Sequence, residues 1–322
     1  MMRAALKIVV AIALTFSSAC ALPRVGEDAA APHYLYLGAS SVFSIPAGGG
    51  TPTTLVSQAL GRGFVNDGIA LDRARGHIYW TNMGSAAGDD GTIMRADRDG
   101  TNVVTIVPPG GAFTPKQLKI DERAGKLYWS DREGMAIMRA DLDGANIETL
   151  VSTGDPAVHE GEEARWCVGI ALDVERRQVY WTQKGGENAG EGMIRRASMT
   201  MPAGATASNR RDIETLFSRL PEPIDLDLDL SSRTIYWTDR GDNTVSRAPM
   251  DPPRGFDPAK RLDQQVLVRG LNEAIGVALD LKRGRMAYTS LGGEVGDAAL
   301  DGSGARMLAT GQGLLTGIML VE

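Results

Sequence analysis

Along residues 33–322, apolar and polar positions alternate with a period of two in short runs broken by Gly, Asp and Asn. No stretch sustains the 3.6-residue spacing of an amphipathic helix. Runs such as Ile93-Met94-Arg95-Ala96-Asp97 and Ile137-Met138-Arg139-Ala140-Asp141 put side chains on two opposite faces, as a strand does. Each is followed by an Asp-Gly pair, Asp99-Gly100 or Asp143-Gly144, and then by another β-rich run, Val103 to Val107 or Ile147 to Val151. An Asp-Gly between two such runs predicts a hairpin. The pattern predicts an all-β chain of short antiparallel strands.

The pattern also repeats. Four Tyr-Trp pairs head similar segments, Ile78-Tyr79-Trp80-Thr81, Leu127-Tyr128-Trp129-Ser130, Val179-Tyr180-Trp181-Thr182 and Ile235-Tyr236-Trp237-Thr238. Worn copies stand at Met286-Ala287-Tyr288-Thr289 and Tyr34-Leu35-Tyr36-Leu37. An Asp precedes each of the five later copies by seven residues, at Asp72, Asp121, Asp173, Asp229 and Asp280, with spacings of 49, 52, 56 and 51 residues. Units of about 50 residues, each holding about four strands, predict the blades of a propeller, here six. The tail, Gly317-Ile318-Met319-Leu320-Val321, matches the segment before each Asp, which the first unit lacks. The last strand is therefore expected to complete the first blade and close the ring.

The segments Tyr128 to Asp131, Tyr236 to Asp239 and Arg139 to Gly144 resemble the LDL-receptor class B (YWTD) repeat over roughly residues 33–322. The resemblance implies a six-bladed β-propeller in which Tyr, Trp and Asp are structural, and binding more than catalysis. Asn82, Gln183 and Ser290 replace the final Asp. An Asp, Asn or Gln at this place points to a polar contact between blades and not to a required charge.

Counting back from Asp72 and its equivalents, one face of the innermost strand is aliphatic throughout, from Ile69 and Leu71 to Ile318 and Leu320. The other face carries Gly68/Ala70, Gly169/Ala171, Gly276/Ala278 and Gly317/Met319, and is expected to line a tight central channel. Two blades depart from it, with Gln117 and Lys119 in the third and Asp225 and Asp227 in the fifth. Asn66-Asp67 and Asn272-Glu273 stand at strand starts and should gather at one channel mouth. Asp67, Asp225 and Glu273, with the amides of Asn66, Gln117 and Asn272, make a candidate site for a hard cation such as calcium. Val65-Asn66-Asp67-Gly68 is loosely similar to a motif of the calcium-dependent lactonases of the gluconolactonase type. The competing reading is a Lys119–Asp227 salt bridge that fills the channel, since buried charges are normally paired.

Loops on the same face are long at Asn82 to Gly91, Asp155 to Trp166 and Gln183 to Gly192. Trp166 is the one Trp of five outside the repeat, placed either to anchor a partner or to plug the mouth. Met199 to Arg211 and Asp251 to Asp263 read as tolerated insertions on the opposite face.

Composition narrows the class. A net charge of −6 argues against nucleic acid, which needs clustered Lys and Arg. Two Cys exclude a disulfide scaffold and three scattered His disfavour a His-built zinc site. Residues 1–20, with Arg3 and Lys7 before an apolar run from Ile8 to Leu14, read as a secretory signal. Ser17-Ser18-Ala19-Cys20 resembles a bacterial lipoprotein box that would lipidate Cys20, the alternative being plain cleavage after Ala19 or Ala21. Residues 21–32 read as a tether and 33–322 as the propeller. The expected protein is an extracytoplasmic monomer, periplasmic, outer-membrane-anchored or secreted, meeting a membrane only through lipid on Cys20. No Gly-x-Ser-x-Gly, His-Glu-x-x-His or phosphate-loop motif occurs. The reading leans to a module binding a protein, glycan or small molecule. A calcium-dependent lactonase and a structural envelope protein are the alternatives.

Overall fold

The computed structural model describes residues 31–57, 65–85 and 88–322. The signal, most of the tether and Cys20 lie outside the described residues. Six sheets of four antiparallel strands follow one another along the chain, and their inner strands neighbour in sequence around an axis. The inner strands of blades two to six are Asn66–Asp72, Pro115–Asp121, Cys167–Asp173, Pro223–Asp229 and Ala274–Asp280. Blade one takes its inner strand from the C-terminus. Leu315–Val321 pairs with His33–Gly38, Tyr34 opposite Leu320 and Tyr36 opposite Ile318. The ring closes by strand pairing, as the orphaned tail segment predicted. The register of the first copy differs from the expected one. Tyr36, not Leu35, occupies the Trp place, and Leu35, not Tyr34, the Tyr place, because His33–Gly38 aligns with His77–Asn82.

Adjacent residues of a strand point to opposite faces, so each Tyr-Trp pair serves two blade interfaces. Trp80 packs backward among Leu35, Leu37, Val56 and Val321 of blade one. Tyr79 packs forward with Leu118, Leu127 and Trp129 of blade three. Tyr128 likewise meets Trp181, and Tyr180 meets Trp237. The four repeat tryptophans are fully buried. Where blade six has only Ala287, blade one fills the interface with Tyr34 and Tyr36. The core is thus a set of interfaces between blades.

Nearer the axis the contact is polar. The Thr81 hydroxyl accepts from the Gly68 N–H of its own blade and donates to the Lys116 carbonyl of the next, at 2.8 and 2.7 Å. Thr182 joins Gly169 to Ile224, Thr238 joins Asp225 to Ile275, and Thr289 joins Gly276 to Thr316. Ser130 donates to the Val168 carbonyl. Blade one has Leu37 at this place and offers no hydroxyl. Thr316 on its C-terminal strand reaches the Asn66 carbonyl instead, at 2.8 Å.

These contacts need inner strands that nearly touch, which corrects the expected role of the strand glycines. A Cβ on Gly68 would lie 2.6 Å from Gln117 Cα, and one on Gly317 2.3 Å from the Asp67 carbonyl oxygen. The glycines face neighbouring backbone and not the channel. Ala70, Ala171 and Ala278 line the lumen.

In blades three, four and five the fourth repeat position holds the linker that enters the blade. Asp131 accepts from the Phe113, Thr114 and Gly134 N–H groups, and Asp239 from Glu222, Gly241 and Asp242. Gln183 donates to the Ala164 carbonyl instead. Burial pushes the Asp131 carboxyl up to about 6, and burial plus the nearby Asp242 pushes Asp239 up to about 7.

The segments 199–213 and 250–264 are more than tolerated insertions. Each crosses to the outer strand of the preceding blade, where Ser152 donates to the Ala207 carbonyl and Ser218 to the Pro258 carbonyl. Buried Arg210 donates to the Leu150 carbonyl, and the Arg261 guanidinium lies 4.0 Å above the Phe217 ring. They are straps that cover edge strands.

Deleting Thr316 to Glu322 removes the inner strand of blade one and should abolish cooperative melting; an unchanged melting temperature would refute closure by this strand. Replacing Thr238 by Val strands the Asp225 N–H and the Ile275 carbonyl, at a cost of about 2 kcal/mol, read as a lowered melting temperature. The pH dependence has a definite sign. A carboxyl with a raised folded pKa binds its proton more tightly folded than unfolded, so its contribution favours folding at low pH and fades as pH rises from about 4 to 7. Asp239→Asn, which mimics Asn82 of blade two, should therefore flatten the fall in melting temperature between about pH 4 and 7.

Candidate functional site

A bulge near the start of each inner strand in blades two to six turns its second residue toward the mouth. Asp67, Lys116, Val168, Ile224, Ile275 and Thr316 come together there and line a cavity of about 440 Å³. Val168, Ile224 and Ile275 pack with Leu291 into an apolar patch. Above it stand charges in pairs. Lys116 donates to Asp67 and sits 3.5 Å from the Met83 sulfur. Burial depresses the Lys116 pKa, and the Asp67 charge opposes that effect only in part. Lys184 bonds both Glu163 and the buried Glu222 at 2.8 Å, and Glu222 also takes two bonds from Arg240.

Trp166 follows a single 3-10 turn, Glu163–Arg165, and forms one wall of this cavity. The Arg132 guanidinium lies 5.0 Å and the Lys184 ammonium 5.3 Å from its ring centroid. Its buried Nε1 has no partner among the described residues. Both sequence readings of this residue fit the position, for it narrows the mouth and presents an aromatic wall to it.

The sequence-predicted residues divide. Asp67 and Trp166 line the mouth. Gln117 is buried just inside, its amide donating to the Asp67 carboxylate at 3.1 Å and carbonyl at 3.2 Å. Asn66 is buried against the Gly38 carbonyl and the Asn82 amide. Asn272 and Glu273 are exposed on the rim, where Glu273 comes within 3.8 Å of Arg240. Asp225 accepts from the Leu226 and Val277 N–H groups, and Asp227 from Leu228 and Leu279. Both carboxylates therefore brace blade five against blade six. Burial pushes Asp225 up to about 7 although Lys119 opposes it. Lys119 lies 4.0 Å from Asp227, the weak salt bridge foreseen as the alternative filling of the channel. Burial works against the Lys119 ammonium, yet Asp227 and Asp225 outweigh it and hold its pKa above the ordinary value.

The expected acidic funnel is not what forms. Asp67, Asp225 and Glu273 occupy three separate environments, each with its own partners. Among the described residues no group of three or more His, Cys, Asp or Glu stands together as metal ligands would. Lys119 and Asp227 belong to a second cavity of about 440 Å³ at the far end of the channel, which shares no lining residue with the mouth.

Lys116, Arg132, Lys184, Glu222 and Arg240 were not singled out from the sequence, although four of them line the mouth. A signal for three existed. The residue just after each YWTD-like tetrapeptide, Met83, Arg132, Lys184, Arg240 and Leu291, lines the mouth in every later blade. Chemically, the mouth offers an apolar floor, interlocked ion pairs and one aromatic wall. That suits recognition of a shaped, partly charged group.

No family model matches the chain. It is 42% identical over 267 residues to the low-density lipoprotein receptor-related protein 1 of Pyricularia oryzae, covering 79% of this chain and 84% of that protein. It is also 38% identical over 250 residues to the 3-hydroxyacyl-CoA dehydrogenase-like protein LAM1 of Cochliobolus heterostrophus, covering 74% of this chain but only 52% of that relative. Among solved structures, a chain of a nidogen/laminin complex superposes with a TM-score of 0.67 at 22% identity, covering 90% of this chain and 98% of that one. The last likeness concerns the fold alone. On the first relative, the six closed blades and the recurring Tyr-Trp-Thr/Ser-Asp segments, the chain belongs to the low-density lipoprotein receptor-related family of YWTD β-propellers.

Proposed function

We propose that this propeller is an extracytoplasmic binding module that receives a protein ligand on the face around the channel mouth. The observation that carries the reading is Trp166, the Trp outside the repeat, set in the wall of the mouth between Arg132 and Lys184. A partly exposed aromatic flanked by cations, above an apolar floor, has the make-up of a binding hot spot. The family supports a binding role, and the nidogen/laminin likeness is one of fold to a propeller found in a protein complex. The signal-like segment 1–20 supports export. The calcium-dependent lactonase reading has little support in the geometry, since its three carboxylates are engaged separately.

Two measurements test this. Random displayed peptides selected on the protein should lose binding in Trp166→Ala, with melting temperature close to that of the parent. Calcium titration should leave melting unmoved, because an ion bound to the folded state must raise it. A calcium-dependent rise abolished by Asp67→Asn would instead favour the hydrolase.

A further inference from the structure

The loops on the two faces of the ring differ in charge. On the mouth face, the described loops 83–85, 88–90, 113–114, 132–135, 153–166, 184–191, 221–222, 240–243, 269–273 and 291–294 hold thirteen Asp and Glu against five Lys and Arg. On the far face, the described turns 73–76, 98–103, 122–125, 142–147, 174–177, 199–213, 230–233, 250–264, 281–284 and 300–305 hold fourteen Lys and Arg against nine Asp and Glu. The whole chain has a net charge of only −6, so its acidity is concentrated around the mouth. Four of the five loop cations on this face are spent on internal pairs, Arg132 with Glu133, Arg165 with Glu162, Lys184 with Glu163 and Glu222, and Arg240 with Glu222, while Arg269 is exposed. Outside them, Glu160 and Glu187 are exposed and have no ion-pair or hydrogen-bond partner among the described residues, and Glu191 is exposed with only a 3.4 Å bond from the Gly186 N–H. Beside them stand exposed apolar side chains, Val158 at 70% and Leu314 at 52%. Unspent carboxylates around an apolar and aromatic centre match a partner of the opposite sign that also carries apolar residues.

We infer that the mouth face docks a basic protein segment, Lys- and Arg-bearing residues meeting the rim carboxylates while an apolar residue reaches the Trp166 wall. This rests on the binding reading above and adds the chemistry of the partner. A single-sign face steers an oppositely charged partner toward it, and salt weakens that attraction. The far face offers no matching excess, because its cations pair with carboxylates at the strand ends, Arg75 with Asp72, Arg177 with Asp121, Arg233 with Asp173 and Arg283 with Asp280.

Peptides selected from a random displayed library, then synthesised and titrated by fluorescence anisotropy, give the test. Lys and Arg should be enriched in the binders, and affinity should fall as salt rises. Reversing three rim charges, in Glu160→Lys with Glu187→Lys and Glu191→Lys, should weaken binding about tenfold or more. Reversing three far-face charges, in Asp143→Lys with Glu175→Lys and Asp301→Lys, changes net charge equally and should alter affinity less than about twofold. Binders that need Trp166 but are neither basic nor salt-sensitive would overturn this inference and leave the binding reading standing. Binders indifferent to Trp166→Ala and weakened equally by both triple variants would overturn both.

Discussion

The ring depends on how closely adjacent inner strands approach. One hydroxyl per interface, from the Thr or Ser of the repeat in blades two to six and from Thr316 in blade one, joins the strands across that gap. At this separation a Cβ on Gly68, Gly169, Gly276 or Gly317 would overlap neighbouring backbone, while blades three and five carry Gln117 and Asp225 at the same place and keep the hydroxyl. The arrangement satisfies buried N–H and C=O groups that a purely apolar interface would leave unpaired. Farther from the axis the gap widens, and there the Tyr-Trp pairs supply bulk.

The same constraint shapes the site. Inner strands held this close leave a narrow lumen, and the level of Gln117 and Asp225 separates a mouth cavity from a far one. The bulge in each inner strand turns the second residue into the mouth, and the pinned fourth position of the repeat fixes where the following residue goes. Arg132, Lys184 and Arg240 are delivered to the mouth by that route. The carboxylate of Asp239 holds the Glu222 backbone while the Glu222 side chain ties Lys184 to Arg240, so scaffold and site share one network.

Ion pairs inside the mouth are stable because each charge is hydrogen-bonded as well as paired, which is the condition for burying charge at modest cost. Their effect outward is to cancel the mouth cations and leave the rim carboxylates to set the field of that face. An acidic loop rim around an apolar centre then follows from where the loops carry unpaired charge, independently of the repeat that builds the ring.

Blade number, strand order and closure by the C-terminal strand were legible in the sequence, since a period of two, Asp-Gly turns and a repeat near 50 residues are local signals set by backbone geometry. The orphan segment at Gly317 to Val321 announced its partner because only the first unit lacked it. The register at Tyr36 was not legible, for two tyrosines two residues apart fit the repeat equally well until Ala287 across the interface demands bulk. Nor was the role of the glycines, because a small residue in a channel and a small residue against another backbone look alike in one dimension. For the site, the sequence determined which polar residues break the inner-strand pattern. Only the tertiary structure decided that Asp67 pairs with Lys116, that Asp225 and Asp227 brace a neighbouring blade, and that Trp166 stands between Arg132 and Lys184. Those pairings join residues on different blades, and their distances are fixed by how the blades pack around the axis.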